Sequence, residues 1–256
     1  MLLVFDVGNT ETTVGLCRGL EVHHHWRLTT EPSRTPDELA LQIVGLLGLA
    51  GVSAADVHGA AIGSVVPALT HPLAEACRRL EGVEPVVVDA QSPLPITLDV
   101  EEPNTVGADR LINTLAASRR FNADCIVVDL GTATTYDCIT ADGVFLGGVI
   151  QPGIRTSAET LFRRAARLSA TELVPPVAVI GKRTETCIRA GVMFGAAASI
   201  DGLVTRIRAE WPTSATPMVV ATGGLASVMQ PLCTTIDRVE PDLTLQGLAM
   251  AHALLK

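Results

Sequence analysis

Two segments of the chain combine an acidic residue, a glycine and several hydroxyl side chains directly after an apolar stretch. The first is Asp6-Val7-Gly8-Asn9-Thr10-Glu11-Thr12-Thr13, and the second is Asp129-Leu130-Gly131-Thr132-Ala133-Thr134-Thr135. A turn of this kind presents backbone N–H groups and hydroxyls that bind phosphate oxygens, and an Asp at a strand end holds Mg²⁺ directly or through water. We expect a positive φ at Gly8. An ordinary Asp-Gly-Asn hairpin is the alternative at the first segment.

Neither turn matches the other common nucleotide-binding patterns. Neither fits G-x-x-x-x-G-K-S/T, which excludes a P-loop of that type. Neither is a G-x-G-x-x-G that opens a helix after a strand, which disfavours a dinucleotide-binding domain. A pair of acidic phosphate turns, one in each half of the chain, is therefore the nucleotide-binding arrangement that the sequence favours.

Asp109 and Arg110 are adjacent within Gly107-Ala108-Asp109-Arg110, at the predicted start of a helix. The positive end of a helix favours the ionised form of the Asp109 carboxyl. An ionised carboxylate orients an attacking alcohol and accepts its proton. An Arg binds a carboxylate or a phosphate through two parallel hydrogen bonds. The motif therefore predicts a base and an anion clamp for an acceptor substrate, with helix capping by Asp109 as the alternative.

Three further glycine-bearing segments border predicted helices. Gly147-Gly148-Val149-Ile150-Gln151-Pro152-Gly153 runs from a strand into a helix start, and Gly181-Lys182-Arg183-Thr184 precedes a long helix. Thr184 contacts a ligand or caps that helix, and its spacing favours capping. Thr222-Gly223-Gly224 follows a strand, which suits either a nucleotide near the helix start or a close strand–helix turn.

The two acidic turns lie about half a chain apart in the 256 residues, which indicates duplication of one domain, residues 1–117 and 118–256. Each half reads as three strands followed by alternating helices and strands, an α/β arrangement. The predicted strands are 2–7, 12–17, 22–28, 57–66 and 85–89, then 125–130, 134–140, 144–150, 217–222 and 236–239. The predicted helices are 36–50, 68–81 and 107–121, then 154–168, 185–210, 225–230 and 243–255. Thr35-Pro36-Asp37-Glu38 is a capping box that starts the first helix.

Composition limits the classes of partner. Hydrophobic residues make up 48% of the chain, and the formal net charge of −8 disfavours nucleic acid and anionic lipid as partners. Only 3% of the residues are aromatic, which leaves few platforms for base stacking. The longest uncharged run, 211–236, is interrupted by prolines and glycines, so we expect no membrane span. Six scattered cysteines without a C-x-x-C indicate buried thiols in a reducing, cytoplasmic compartment.

Taken together, the motifs resemble those of type III pantothenate kinases, a family in the acetate/sugar kinase–Hsp70–actin superfamily. The resemblance covers nearly the whole chain in order, and Gly107-Ala108-Asp109-Arg110 is its most family-specific element. It implies two duplicated ribonuclease H-like (actin-like ATPase) α/β domains, with mixed sheets flanked by helices and a nucleotide cleft between them. It also implies ATP-dependent phosphorylation of pantothenate to 4′-phosphopantothenate, the first step of coenzyme A biosynthesis.

The same resemblance implies roles for individual residues and partners. The residues expected to bind the ATP phosphates are Asp6, Val7, Gly8, Asn9, Thr10, Glu11, Thr12, Thr13 and Thr132. The residues expected to bind pantothenate are Gly107, Ala108, Asp109, Arg110 and Thr184. Within that set Asp109 is the proton acceptor and Arg110 is the partner of the pantothenate carboxylate. Asp129 is expected to hold a monovalent cation, K⁺ or NH₄⁺, which is required in addition to Mg²⁺. The chain is expected to form a homodimer.

One stretch departs from the family pattern. Many members carry a Tyr a few residues before Gly-Ala-Asp-Arg that contacts pantothenate, whereas this chain has Leu98-Asp99-Val100-Glu101-Glu102-Pro103. The acceptor affinity, and a contact from Val100, are therefore open. Two alternative functions remain: a non-catalytic regulatory relative of the family, and a kinase of the same superfamily with another small acceptor.

Overall fold

The computed structural model describes residues 1–165 and 170–256, and their contacts group them into two units. The first unit contains residues 1–120, 143–145 and 242–256, and the second contains the remaining described residues. Both are α/β structures in which a mixed sheet is flanked by helices, as predicted. The predicted domain boundary at 117–118 stays a prediction.

The described part of the chain contains eleven strands and seven α-helices. The strands are β1 (Leu2–Val7), β2 (Glu11–Arg18), β3 (Glu21–Thr29), β4 (Gly59–Ser64), β5 (Pro85–Val88), β6 (Thr97–Leu98), β7 (Cys125–Leu130), β8 (Ala133–Ile139), β9 (Val144–Pro152), β10 (Met218–Thr222) and β11 (Arg238–Val239). The helices are α1 (Pro36–Leu49), α2 (Pro67–Arg78), α3 (Ala108–Phe121), α4 (Ile154–Arg164), α5 (Thr184–Ala209), α6 (Ala226–Met229) and α7 (Leu243–Leu255).

The sheet of the first unit has the strand order β3-β2-β1-β4-β5. Its central strand β1 pairs antiparallel with β2 and parallel with β4. Leu3, Val4 and Phe5 are all buried, because both faces of the strand are covered. On one face Leu3 and Phe5 pack in a core with α1 and α2, and on the other Val4 packs in a core with α3 and α7.

The second sheet has the order β11-β10-β7-β8-β9-β6. Its strand β7 pairs antiparallel with β8 and parallel with β10, which are the same relations that β1 has in the first sheet. Read from β9, the second sheet has the order β9-β8-β7-β10-β11, which corresponds strand for strand to β3-β2-β1-β4-β5 of the first sheet. The strand β6 is an addition at the edge next to β9. This repeated topology confirms the predicted duplication of the fold. The strand β6 pairs with Val144 and Phe145, at the start of β9.

Helices α4 and α5 belong to the second unit. Helix α4 begins at Ile154 as predicted and ends at Arg164, and residues 166–168 of the predicted helix lie outside the described residues. Among the described residues, α5 is the one helix that is long and apolar enough, by length and composition, to cross a membrane. Its most apolar 18-residue stretch has a mean hydropathy of 1.4, and 33% of that stretch is buried. Buried core helices of globular proteins share this length and composition. Met193, Ile200 and Val204 of α5 pack in the core of the second unit.

The last helix of the chain, α7, packs on the first unit. Glycines make this packing close: a Cβ on Gly247 would lie 2.6 Å from the carbonyl oxygen of Ile112 in α3. A Cβ on Gly15 of β2 would lie 3.1 Å from Leu245. Helix α7 therefore rests directly on the sheet and on the helix that carries Asp109.

Candidate active site

The first acidic turn joins β1 to β2. Asp6 is half-buried near the end of β1, where it lies opposite Thr13 of β2 and Gly63 of β4. The Gly8 N–H donates to the carbonyl oxygen of Glu11 at 3.0 Å. A Cβ on Gly8 would lie 2.9 Å from the same oxygen. The expected positive φ at Gly8 is wrong, and the close approach of Glu11 is what favours glycine here.

The side chains of this turn differ in exposure. Asn9, Thr10 and Glu11 are exposed at its tip, and Thr13 is half-buried. Thr12 is buried, and its hydroxyl lies 2.8 Å from that of Thr30, which follows β3. The tip therefore offers polar groups to solvent, whereas the Thr12 hydroxyl faces the interior.

The second acidic turn joins β7 to β8. The Gly131 N–H donates to the carbonyl oxygen of Ala133 at 3.1 Å, and Thr132 is exposed at the tip. The Thr132 carbonyl oxygen accepts hydrogen bonds from the Gly153 N–H at 3.1 Å and from the Thr156 hydroxyl at 2.7 Å. A Cβ on Gly153 would meet the Thr132 carbonyl. The predicted glycine segment before α4 thus holds the second turn in place.

Asp129 is half-buried near the end of β7, in the position that Asp6 has in β1. Its register partners are Thr135 of β8 and Thr222 of β10. A Cβ on Gly223 would lie 2.5 Å from Asp129 Oδ1, and Gly223 has a φ of +87°. Both observations indicate a close strand–helix turn at Gly223, which is one of the two interpretations predicted for Thr222-Gly223-Gly224.

Asp109 lies in the first turn of α3. Its Oδ1 accepts a hydrogen bond from the Arg110 N–H at 2.9 Å. A Cβ on Gly107 would lie 2.5 Å from the same oxygen. The carboxylate therefore folds back over the start of the helix, into space that only a glycine at 107 leaves open.

Burial raises the pKa of the Asp109 carboxyl, although the hydrogen bond from the Arg110 N–H and the charge of Arg110 lower it. The shift is opposite to the one expected from the helix end alone. Loss of hydration disfavours the charged form of a carboxyl, and here it outweighs the helix end and Arg110. A carboxylate with a raised pKa holds a proton more tightly and is thus a stronger base.

Arg110 is half-buried, and its guanidinium carbon lies 5.0 Å from the ring centroid of Phe145. A guanidinium over an aromatic face is held by attraction to the ring quadrupole. Phe145 is buried, at the start of β9. The Phe145 ring therefore restricts the position of the Arg110 guanidinium, and Arg110 directly follows Asp109 in the sequence.

The first acidic turn and the start of α3 meet at the end of β4. The Val65 N–H, one residue beyond β4, donates to the carbonyl oxygen of Val7 at 3.0 Å. Val65 Cγ1 lies 3.3 Å from the position of a Cβ on Gly107. The structure thus brings residues 6–13 and 107–110 to one edge of the first sheet.

Thr184 is exposed at the first position of α5, in the second unit. The N-cap position is occupied by Arg183, and the Thr186 hydroxyl accepts hydrogen bonds from the N–H groups of Lys182 and Arg183 at 3.1 Å each. The capping role predicted for Thr184 is therefore wrong, and its contact with a ligand stays a prediction.

The donor chemistry at both turns fits the expected cations. Among the described residues, no three His, Cys, Asp or Glu side chains cluster as metal ligands. Mg²⁺ needs no such cluster, because it is bound by one or two carboxylates together with water and substrate phosphates. Asp6 and Asp129 each supply carboxylate oxygens beside an acidic turn, and a monovalent cation also takes oxygen ligands.

Similar proteins of known family cover nearly the whole chain. A model of the type III pantothenate kinase family matches residues 2–206. The type III pantothenate kinase of Roseiflexus sp. (strain RS-1) is 44% identical over 99% of both chains, and that of Moorella thermoacetica is 41% identical over 98% of both.

Two solved structures share the fold at low sequence identity. The activator of 2-hydroxyisocaproyl-CoA dehydratase from Clostridium difficile, with bound ADPNP, aligns with a TM-score of 0.55 at 12% identity, covering 99% of this chain and 93% of that one. Component A of (R)-2-hydroxyglutaryl-CoA dehydratase from Acidaminococcus fermentans aligns with 0.53 at 13% identity, covering 99% and 96%. The fold is thus shared beyond the family, and the family match and the two relatives show that this chain belongs to the type III pantothenate kinases.

Proposed function

We propose that this chain transfers the γ-phosphoryl group of ATP to the 4′-hydroxyl of pantothenate, the first step of coenzyme A biosynthesis. The observation that carries the proposal is the family match, which spans both acidic turns, the Gly-Ala-Asp-Arg motif and Thr184. The curated relatives are named type III pantothenate kinases and align over almost their entire length.

The two turns are assigned to ATP. The first turn, residues 6–13, offers an exposed tip with N–H groups and hydroxyls, and Thr132 occupies the corresponding tip of the second. Backbone N–H groups in such turns bind phosphate oxygens without a flexible side chain. Mg²⁺ at Asp6 and a monovalent cation, K⁺ or NH₄⁺, at Asp129 would supply positive charge against the phosphates when bound.

Asp109 is assigned as the proton acceptor. The pantothenate hydroxyl oxygen forms a bond to the γ-phosphorus while the bond from that phosphorus to the β–γ bridging oxygen breaks. The hydroxyl proton passes to the Asp109 carboxylate, and ADP leaves. Because phosphoryl transfer depends mainly on positioning and electrostatics, Asp109 acts chiefly by aligning the hydroxyl, and its raised pKa assists late proton transfer.

Arg110 is assigned to the pantothenate carboxylate. Its guanidinium offers parallel N–H donors that match a carboxylate, and the Phe145 ring restricts its orientation. Gly107, Ala108 and Thr184 complete the proposed acceptor contacts. The stretch 98–103 lacks the Tyr found in many family members, so the proposed acceptor contacts include none from this stretch.

The remaining predictions about the whole protein are part of the same proposal. We assign two domains with the chain boundary at 117–118, residues 1–117 and 118–256, except that the last helix α7 packs on the first unit; we also assign a homodimer in solution, a small-molecule substrate and no nucleic-acid partner. A cytoplasmic location agrees with the six cysteines, all of which are free thiols, because thiols stay reduced in that compartment.

The function is tested by ADP release from Mg-ATP in KCl, with and without pantothenate. We expect release that depends on pantothenate, with 4′-phosphopantothenate identified by mass spectrometry. Replacing KCl by NaCl tests the monovalent cation, and the expected result is a loss of turnover. Release only with other acceptors would favour the superfamily kinase with a different substrate. No release with any acceptor would favour the regulatory relative.

A further inference from the structure

Thr30 makes three hydrogen bonds to the first acidic turn. Its hydroxyl donates to the carbonyl oxygen of Gly8 at 2.7 Å and lies 2.8 Å from the Thr12 hydroxyl. Its N–H donates to the carbonyl oxygen of Thr10 at 3.0 Å. Thr30 is only 7% exposed, so these bonds are shielded from competing water.

The direction of the hydroxyl bonds follows from counting protons. A threonine hydroxyl carries one proton, and the proton of Thr30 is used on the Gly8 carbonyl. The proton between the two hydroxyls must therefore come from Thr12, which donates to Thr30. Phosphate oxygens require donors, so the Thr12 hydroxyl has no proton left for a phosphate in this arrangement.

The planarity of the peptide unit connects this chain of bonds to the ligand side of the turn. In a trans peptide the carbonyl of one residue and the N–H of the next point in opposite directions within one plane. Because Thr30 holds the Gly8 carbonyl towards the interior, the Asn9 N–H is directed away from the interior. The orientation of a donor at the turn tip is thus set by a residue that lies twenty-one positions further along the chain.

We propose that Thr30 is a positioning residue for the ATP phosphates, which aims the backbone donors of the first turn by holding the Gly8 and Thr10 carbonyls. The inference rests on the proposed function in one respect, that this turn binds ATP. Thr30 itself does not touch the substrate. On this view Thr12 supports phosphate binding through Thr30 and Gly8, and not through its own hydroxyl.

The test compares Thr30→Val, which removes the hydroxyl at nearly constant volume, with Thr30→Ser, which retains it. For Thr30→Val we expect the Kd for Mg-ATP to rise about tenfold, the effect of one lost hydrogen bond to a preorganised site. We expect Thr30→Ser to stay within about threefold of the wild type. The KM for pantothenate should change less than the KM for ATP in both variants.

Two further variants separate positioning from general loss of stability. Thr244→Val removes an equally buried hydroxyl, one that donates to Asn113 in the same unit, and should leave the Kd for Mg-ATP unchanged. Thr12→Val leaves the bond from Thr30 to Gly8 intact and should weaken ATP binding less than Thr30→Val does. A larger loss in Thr12→Val would mean that Thr12 binds phosphate directly and would overturn the proposal.

Direct measurement of ATP binding keeps this test separate from the proposed function. If the wild type binds Mg-ATP but does not phosphorylate pantothenate, the acceptor assignment fails while the Thr30 comparison still stands. Wild-type affinity in Thr30→Val, or an equal loss of affinity in Thr244→Val, would show that Thr30 does not position the turn.

Discussion

Asp109 illustrates how two local influences compete at a single residue. The start of α3 and the Arg110 charge both favour its ionised form, whereas burial favours the neutral form and dominates. Loss of hydration usually outweighs one backbone hydrogen bond, because a charged group in water makes several. A carboxylate that binds its proton more tightly than usual suits the role of proton acceptor.

Replacing Asp109 by Asn should separate activity from stability. We expect kcat to fall at least about a hundredfold, because Asn cannot accept the hydroxyl proton. Since the folded-state pKa of Asp109 is raised, its stabilising contribution is present only at low pH and is lost as pH rises through that pKa. At pH 7.5 the ionised group therefore costs stability, and the variant should unfold at the wild-type temperature or above it. Near-normal turnover would contradict the assignment.

The same pKa predicts the acid limb of the pH profile. Catalysis needs the ionised form of Asp109, so kcat/KM for pantothenate should fall as pH decreases through the raised pKa. The midpoint should lie above the usual range for an exposed aspartate. The residual activity of Asp109→Asn should lack this limb, which is the control. An acid limb unchanged in that variant would assign the titration to another group.

The sequence reveals residues whose chemistry is local and misses those that act across the fold. Asp6 and Asp129 are found because each lies two residues before a glycine in the chain, and Asp109 is found because it lies at the start of a helix. Thr30 and Phe145 are missed, because their partners lie eighteen or more residues away in the chain. A strand register for β2 and β3 would have placed Thr30 beside the first turn, since Glu11 pairs with Thr29.

At the scale of elements, glycines allow the chain to approach the site closely. Gly8, Gly107 and Gly153 all lack a positive φ, so backbone freedom does not explain them. Each instead occupies a position where a Cβ would collide with an atom of a residue assigned to the site, which is the carbonyl oxygen of Glu11, Oδ1 of Asp109 or the carbonyl oxygen of Thr132. The sequence identifies such glycines only by the motif around them, because the colliding atom is set by tertiary structure.

Gly107→Ala should reduce activity without unfolding the protein. The added Cβ would lie 2.5 Å from Asp109 Oδ1, so the carboxylate must move. We expect kcat to fall at least about tenfold, because small displacements of a catalytic group are costly, while the unfolding temperature stays near that of the wild type.

Gly45→Ala in α1 is the matched control, since nothing lies within 4 Å of its Cβ position. It should raise stability by about 0.5–1 kcal/mol through helix propensity and leave kcat unchanged. Loss of turnover in Gly45→Ala, or wild-type turnover in Gly107→Ala, would refute the argument from the Asp109 carboxylate.

Most elements follow from the sequence, and the exceptions have physical causes. The capping box at Thr35 starts α1 as predicted, with both reciprocal hydrogen bonds present. Strand β6 was not predicted, because two residues in a proline-rich stretch carry no periodicity, and its pairing with β9 is a long-range contact. The N-cap position of α5 falls on Arg183, because the Thr186 hydroxyl accepts hydrogen bonds from the N–H groups of Lys182 and Arg183.

At the scale of the molecule, chain order and spatial order differ at two segments, residues 143–145 and 242–256, which both belong to the first unit. Helix α7 ends the chain, yet its buried residues Leu245 and Leu248 pack with Val4, Ile112 and the rest of that core in the first unit. The duplication is visible in the sequence because each acidic turn is a short continuous segment that can be recognised without knowledge of the fold. The return of α7 to the first unit is not visible, because an apolar helix pattern does not say which sheet it covers.

The predicted boundary at 117–118 can be tested through α7. Residues 1–120 alone would expose the face that α7 covers, and three leucines of α7, Leu243, Leu245 and Leu248, are fully buried. Each buried leucine contributes roughly 1.5–3 kcal/mol, so the loss is comparable to the whole stability of a small domain. We expect residues 1–120 to show no cooperative thermal transition, and a fusion to residues 242–256 through a flexible linker to restore one. The same fusion with Leu245→Asp and Leu248→Asp should remain unfolded, whereas cooperative unfolding of residues 1–120 alone would establish the first domain as independent of α7.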